Sequence, residues 1–189
     1  LPKGFFCDLP HLGPVTLLRA FFTFADMNEN KPFPKSDPLN KVAEFHRTFQ
    51  HPILDRPAIP APERCELRVN LLAEELEELR QAIEDRDLVE IADALCDLQY
   101  VLSGAVLEFG LAEKFGALFD EVQRSNMSKS CSSREEAEET AQYYKEVRGM
   151  DSHIKEVDGH WLVFRNGDHK TLKSVNYSPA DLKSILGMD

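Results

Sequence analysis

From residue 37 onward, apolar residues recur every three or four positions along successive stretches of the chain, which is the mark of amphipathic helices. Asp37-Pro-Leu-Asn-Lys-Val-Ala-Glu-Phe-His-Arg-Thr-Phe49 carries Val42, Phe45 and Phe49 on one side and predicts the first core helix. A long helix follows from Glu63 to about Glu84, with a stripe at Leu72, Leu76, Leu79 and Ile83. After a break at Asp85-Arg-Asp87, another runs from Leu88 to about Phe109 with its stripe at Ile91, Leu95, Leu98 and Leu102. Two long helices joined this tightly predict an antiparallel hairpin packed through its stripes. Gly110 caps the second, and a further helix spans about Leu111 to Arg124, with Ser125-Asn-Met-Ser-Lys129 as its polar exit.

Beyond residue 131 the pattern changes. Ser132 to Val147 reads as a charged surface helix with serine at its N-cap and acids in its first turns, where they suit the macrodipole. Three short runs, Ile154–Gly159, His160–Gly167 and Asp168–Lys173, are separated by Asp-Gly and Asn-Gly, and so predict a small three-stranded meander. Ser178-Pro-Ala-Asp181 opens a last short helix, with Ser178 as N-cap and Pro179 in the first turn. Residues 28–39 are polar and proline-rich, and prolines 52, 57, 60 and 62 enforce an irregular crossing between the first two core helices.

The fold class is therefore all-α, a helical bundle with a small C-terminal β-meander. The expected organisation is an N-terminal extension over 1–36, a catalytic helical domain over 37–130, and an appendage over 131–189 holding a helix, the meander and the terminal helix. Met27-Asn-Glu-Asn opens a segment unlike the one before it, which suggests Met27 as the natural start, with residues 1–26 upstream of it.

Composition narrows the function. A chain of 189 residues with a net charge of −11 and a pI near 5.0 offers no broad electrostatic footprint for nucleic acid or anionic membrane. A polyanionic substrate would need bound cations to approach it. The longest apolar run, Val15 to Ala25, is too short for a membrane span and is broken by Arg19. Cys7, Cys65, Cys96 and Cys131 form no C-x-x-C pair and no disulfide framework, so a reducing, cytoplasmic setting is expected; organellar targeting by residues 1–26 is the open alternative.

The chemistry lies in the acids of the hairpin. Helical geometry places Glu75, Glu78 and Glu74 at about −60°, −120° and −160° from Leu72, on one flank of the stripe, and Glu77 at about +140° on the other side. In the next helix Glu90, Asp97 and Asp93 fall at about −100°, −120° and −160° from Ile91, again on one flank. Packed antiparallel, the two helices bring these carboxylates together at the edge of their interface. Mg2+, which prefers oxygen ligands and bridges carboxylates to phosphates, would relieve the repulsion. The bland alternative is a solvated acidic face, with Glu90 spent in a capping box on Asp87. Spacing leaves both open.

Ala73 to Leu79, Asp87 to Val101 and Phe119 to Lys129 together resemble the MazG-like all-α nucleoside triphosphate pyrophosphohydrolases, in the phosphoribosyl-ATP-pyrophosphatase-like branch that includes dUTPase-type members. The resemblance covers about Leu39 to Lys129, with a looser echo over Gly159 to Leu182. It implies a homodimer or homotetramer that hydrolyses a (deoxy)nucleoside triphosphate to the monophosphate and pyrophosphate. Glu75, Glu78, Glu90 and Asp93 correspond to the Mg2+ ligands of the E-x-x-E…E-x-x-D pattern, with Mn2+ as a substitute ion. Glu74 corresponds to the acid that activates water. Arg124, Asn126 and Lys129 are the implied substrate-binding residues, and Phe45, His46 and Phe49 are candidates for a base pocket, with core packing as their simpler role. Lys170 and Lys173 are candidates for reaching phosphates from the tail. The alternatives are a phosphoribosyl-ATP pyrophosphohydrolase of histidine biosynthesis and a non-enzymatic helical dimerisation module.

Overall fold

The computed structural model describes residues 33–188. The expectations for residues 1–32, including Met27 as a start, a targeting role and the Val15–Ala25 run, lie outside the described residues. Six α-helices and one two-stranded antiparallel sheet follow in the order α1 (Pro38–Thr48), α2 (Pro62–Asp85), α3 (Leu88–Glu108), α4 (Phe115–Met127), α5 (Arg134–Arg148), β1 (Ser152–Val157), β2 (His160–Arg165) and α6 (Leu182–Leu186), with a 3-10 turn at Ala112–Lys114. No single helix among the described residues is long and apolar enough to cross a membrane.

Local chemistry sets the helix ends. Asp37 caps α1 and Pro38 occupies its first turn; Pro62 does the same for α2, whose cap residue Ala61 offers no side-chain acceptor. Arg86 closes α2 in the left-handed conformation at φ 57°, and Asp87 caps α3 by accepting from the Val89 and Glu90 amides at 2.9 and 3.2 Å. The two-residue connection turns the chain back on itself. Thus α2 and α3 form the expected hairpin, and α1 packs on α3.

Their packing differs from the expected stripes. Of the stripe residues Leu72, Leu79, Ile91 and Leu98 are half-buried, whereas Leu76, Ile83, Leu95 and Leu102 remain 42–56% exposed, and the fully buried apolar residues of the hairpin are Ala82, Ala94, Val106 and Leu107. Periodicity found the apolar face but not what covers it. The core of this region instead gathers Val42, Ala43 and Leu107, with Leu39, Ile53 and Ala112 against them. The proline-rich crossing is docked on the same end: the Leu54 amide donates to Leu107 O at 3.1 Å and the Ala58 amide to Phe109 O at 3.1 Å. These bonds satisfy carbonyls that a helix terminus leaves without partners.

Gly110 sits at φ +65°, and a Cβ there would lie 1.9 Å from the Arg56 carbonyl oxygen. Both the left-handed backbone and the contact with a fixed carbonyl demand glycine. Gly110→Ala is expected to destabilise the protein by at least about 2 kcal/mol, read from urea denaturation; a loss of only a few tenths would mean the crossing moves freely.

A second core joins Cys131, Ala137, Val163 and Leu172, with Ala141, Tyr144, Ile154 and Trp161 packed around it. Here α5 corrects the expectation of a purely surface helix, because Ala137 and Thr140 are fully buried against the sheet. Charge dominates the count of its residues, but a narrow stripe of small side chains is enough to dock it. Asp158 and Gly159, at φ 52° and 79°, form the predicted Asp-Gly turn between β1 and β2. The third strand of the meander does not form; Asp168–Lys173 pairs with β2 through the single bridge Phe164–Thr171. Asp168 explains this by chelating Arg165 and accepting from the Lys170 amide at 3.2 Å, which diverts that donor from a ladder.

Two further ends shift. The helix α4 begins after the 3-10 turn and runs through Ser125 and Asn126 to Met127, so these residues are helical rather than an exit loop. Asp181, not Ser178, caps α6, accepting from the Ser184 amide at 3.2 Å. Ser178 is occupied elsewhere: its amide donates to Ser128 Oγ at 3.0 Å.

Candidate active site

The helix α2 presents Glu74, Glu75 and Glu78, and α3 presents Glu90, Asp93 and Asp97. Glu75 is half-buried, while Glu74, Glu78, Glu90 and Asp93 are exposed. Burial, followed by the negative charges of Glu78, Asp97, Glu74 and Asp93, holds the Glu75 carboxyl above the usual carboxylate range. Acids of both helices therefore crowd one carboxyl, as the helical wheels anticipated. Among the described residues no basic side chain pairs with any of these six. Glu77 stands apart, in an exposed ion pair with Arg80 at 3.0 Å.

Glu78 and Glu90 line a cavity of about 400 Å³ beside the turn, together with Gln81, Asp85 and Asp87. Only half of the capping box on Asp87 forms. Asp87 receives the Glu90 amide, but its own amide donates to Ala82 O at 3.0 Å, so the Glu90 carboxylate is not spent on the cap. Asp97 is the half-buried acid that the E-x-x-E…E-x-x-D pattern omits; its place on the wheel was the signal for it.

Among the described residues no three carboxylate, histidine or cysteine side chains already converge on one point as a metal cage. The donor set still suits Mg2+, which retains several waters and takes one or two carboxylates plus substrate phosphates rather than a protein cage. Hard oxygen donors and uncompensated negative charge are what such an ion requires.

The three implied substrate-binding residues gather at the C-terminal end of α4, Arg124 and Asn126 on the helix and Lys129 just past it. Arg124 is held by Glu121 at 2.7 and 2.8 Å and donates to Pro179 O at 3.0 Å, while Lys129 Nζ donates to Asn126 Oδ1 at 2.8 Å. The main packing partners of α4 are the 3-10 turn and α6. No hydrogen bond or ion pair joins these three residues to the carboxylates of α2 and α3 within the described residues.

One helical turn from Glu75 and Asp97, α1, α2 and α3 enclose a recess of about 220 Å³ that includes Phe45, His51, Arg64, Arg68, Leu71 and Tyr100. Phe45 stacks on His51 at 5.7 Å and meets Tyr100 edge-on at 5.6 Å. Phe45 and Phe49 are 37% and 60% exposed, so neither is a core residue. His46 is the reverse, buried beneath the recess with Nδ1 2.9 Å from Pro52 O, and burial lowers its pKa.

Under this floor lies a group that the sequence reading missed. Glu108, 1% exposed, accepts from Arg64 and Arg68, whose guanidinium lies 3.4 Å from His46 Nε2. The only sequence signal was one acid set in the apolar run Ala105-Val-Leu-Glu-Phe109. Gly104 leaves room for the Arg68 guanidinium, which a Cβ would meet at 2.7 Å. Arg68 Nε is buried without a partner.

With this geometry in view, comparison with known proteins finds that residues 42–126 match the family described as phosphoribosyl-ATP pyrophosphohydrolase. Over this segment the chain is similar to the phosphoribosyl-ATP-pyrophosphohydrolase-like proteins, in keeping with the resemblance read from the sequence. The match suggests a pyrophosphohydrolase-like activity on nucleotides in general terms. It covers most of α1, all of α2 and α3 and nearly all of α4, hence both carboxylate flanks, the recess and the Glu108 group. The chain is also similar to the uncharacterized protein L479 of Acanthamoeba polyphaga mimivirus, 25% identical over 246 residues that take in 80% of this chain and 96% of that protein.

Proposed function

We propose that this protein is a Mg2+-dependent pyrophosphohydrolase of a (deoxy)nucleoside triphosphate, releasing the monophosphate and pyrophosphate. The observation that carries the reading is the crowding of unpaired carboxylates from α2 and α3 around Glu75. Glu75, Glu78, Glu90 and Asp93 would hold the metal, which when bound supplies charge neutralisation for the triphosphate and a more acidic water. Glu74, exposed beside them, accepts the proton of the attacking water as general base. The recess of Phe45, His51 and Tyr100 offers stacking for the base, and the unpartnered Arg68 Nε a donor at its floor. Arg124, Asn126 and Lys129 contact the substrate from a neighbouring copy, which the exposed Leu76, Ile83, Leu95 and Leu102 recruit into a homodimer or homotetramer.

A screen of nucleoside triphosphates, deoxynucleoside triphosphates and phosphoribosyl-ATP for pyrophosphate release tests this directly. Release with Mg2+ or Mn2+ and none with EDTA is expected. Turnover of phosphoribosyl-ATP alone would favour the second reading, which the description of the matching family supports. No release from any nucleotide, with no shift in melting temperature on adding Mg2+, would leave a helical dimerisation module.

A further inference from the structure

Two histidines of the tail lie outside the carboxylates, the recess and α4. The imidazole rings of His153, on β1, and His169, in the loop after β2, have centres 5.5 Å apart at an interplanar angle of 81°. A divalent transition ion sits about 2.0–2.1 Å from an imidazole nitrogen, hence roughly 3.2 Å from the ring centre. Two rings at this separation then subtend an angle of about 120° at such an ion, near the tetrahedral value. Spacing alone does not make a site. His46 and His51 have ring centres 5.4 Å apart as well, but His46 Nδ1 is turned to Pro52 O and its Nε2 lies 3.4 Å from the Arg68 guanidinium, a poor neighbour for a second cation.

Two features set the tail pair apart. His153 Nδ1 lies 2.8 Å from the Asn166 amide oxygen. That acceptor keeps the proton on Nδ1 and leaves the Nε2 lone pair open, as the outer partner of a metal-bound histidine does. His169 stands at φ 53°, a left-handed backbone that few non-glycine residues adopt. Its loop is fixed: the Arg165 amide donates to Lys170 O at 2.9 Å, the Lys170 amide donates to Asp168 Oδ1 at 3.2 Å, and Asp168 pairs with Arg165, whose charge is thereby offset. The hairpin register fixes the other ring, since it places His153 opposite Phe164. Ring packing is the plainer role, and His153 does lie 5.7 Å from the centre of the Phe164 ring. Packing accounts neither for the Asn166 contact nor for an exposed histidine held left-handed, because it asks for no oriented tautomer and no strained turn.

We infer that His153 and His169 form a two-histidine site for a divalent transition-metal ion of the Zn2+ or Cu2+ kind, with Asn166 as the residue that positions His153. Imidazole suits such ions, whereas Mg2+ takes oxygen donors, so this site and the α2–α3 acids call for different metals. Among the described residues no third histidine, cysteine or carboxylate completes a cage with the pair, and water fills the remaining positions. The bound ion ties β1 to the loop after β2, a link that the unformed third strand does not supply.

The test is titration of the metal-free full chain with Zn2+ in excess Mg2+, which leaves imidazole alone, followed through the imidazole proton resonances of His153 and His169. These resonances report on the pair whether or not the α2–α3 acids bind Mg2+. They are expected to shift together to saturation, with a rise in melting temperature. Asn166→Ala should weaken binding roughly 10–100-fold, and Asn166→Asp, which keeps an acceptor, should restore it. His153→Ala and His169→Asn, each leaving one histidine, should weaken it further; asparagine tolerates the left-handed backbone, so the loop is kept. All three positions are exposed, and melting curves of the metal-free variants will show them folded. A shift of one histidine without the other, affinity unchanged in Asn166→Ala or in His169→Asn, or displacement of Zn2+ from these resonances by Mg2+ would each overturn the inference.

Discussion

Glu75→Gln is expected to abolish Mg2+-dependent pyrophosphate release and, in EDTA at neutral pH, to raise the melting temperature. The loss should exceed the roughly 10–100-fold that substitution of outer-shell partners costs a metal site. The gain in stability has the same origin. Burial and four neighbouring carboxylates raise the Glu75 carboxyl above its ordinary 4.5, so its ionised form is disfavoured in the folded state. A raised carboxyl favours the fold at low pH and loses that contribution as the pH climbs through the raised value. The difference between wild type and variant should therefore be present at pH 7 and vanish below the unfolded value. Glu77→Gln is the control, because its exposed pair with Arg80 lies outside the repelling group: activity within about twofold and stability within about 0.5 kcal/mol are expected. A Glu75→Gln enzyme of full activity, or one less stable than wild type in EDTA, would remove the basis for placing the metal there.

Glu108→Ala should have the opposite character, losing about 3–5 kcal/mol in urea denaturation because it leaves Arg68 charged in a buried site. Burial on its own would raise the Glu108 carboxyl, but hydrogen bonds and charge from Arg64 and Arg68 more than cancel this and hold it below 4.5. A depressed carboxyl stabilises the fold above the unfolded value and loses that contribution as the pH falls through the lower, folded value. Glu108→Gln should accordingly be less stable than wild type at pH 7, with the gap closing in acid. The two glutamates thus respond to the same amide substitution with opposite signs. A neutral outcome at Glu108 would mean the arginines find water instead.

Much of this arrangement was written in local sequence. The α2–α3 hairpin followed from the break at Asp85–Asp87, the β1–β2 turn from Asp158-Gly159, and the shared flank of the acids from helical geometry alone. Each of these depends on residues close together in the chain. What failed depended on partners far away: half of the residues assigned to the hairpin interface, Leu76, Ile83, Leu95 and Leu102, stayed exposed, and α5 found a sheet to cover its alanine and threonine. Glu108 was illegible for the same reason, since its partners lie 40 and 44 residues earlier. The tail misled in a different way. Asn166-Gly167 signalled a turn correctly, with Gly167 at φ 98°, but Asp168 then took the donor that a third strand would have used. The wheel found Asp97, and the recognised motif left it out.

The crossing between α1 and α2 has a consequence for the denatured chain. Its three prolines, at 52, 57 and 60, with Pro62 opening α2, narrow the conformations open to this stretch before it folds. An irregular segment of this length would ordinarily lose roughly 1–2 kcal/mol of conformational freedom per residue on ordering. Here part of that freedom is absent from the start, so two amide bonds to the end of α3, with His46 against Pro52 O and Cys65 against Pro60 O, have less entropy to offset in holding the segment. The segment without regular secondary structure is, in the unfolded state, the stiffest part of the helical region.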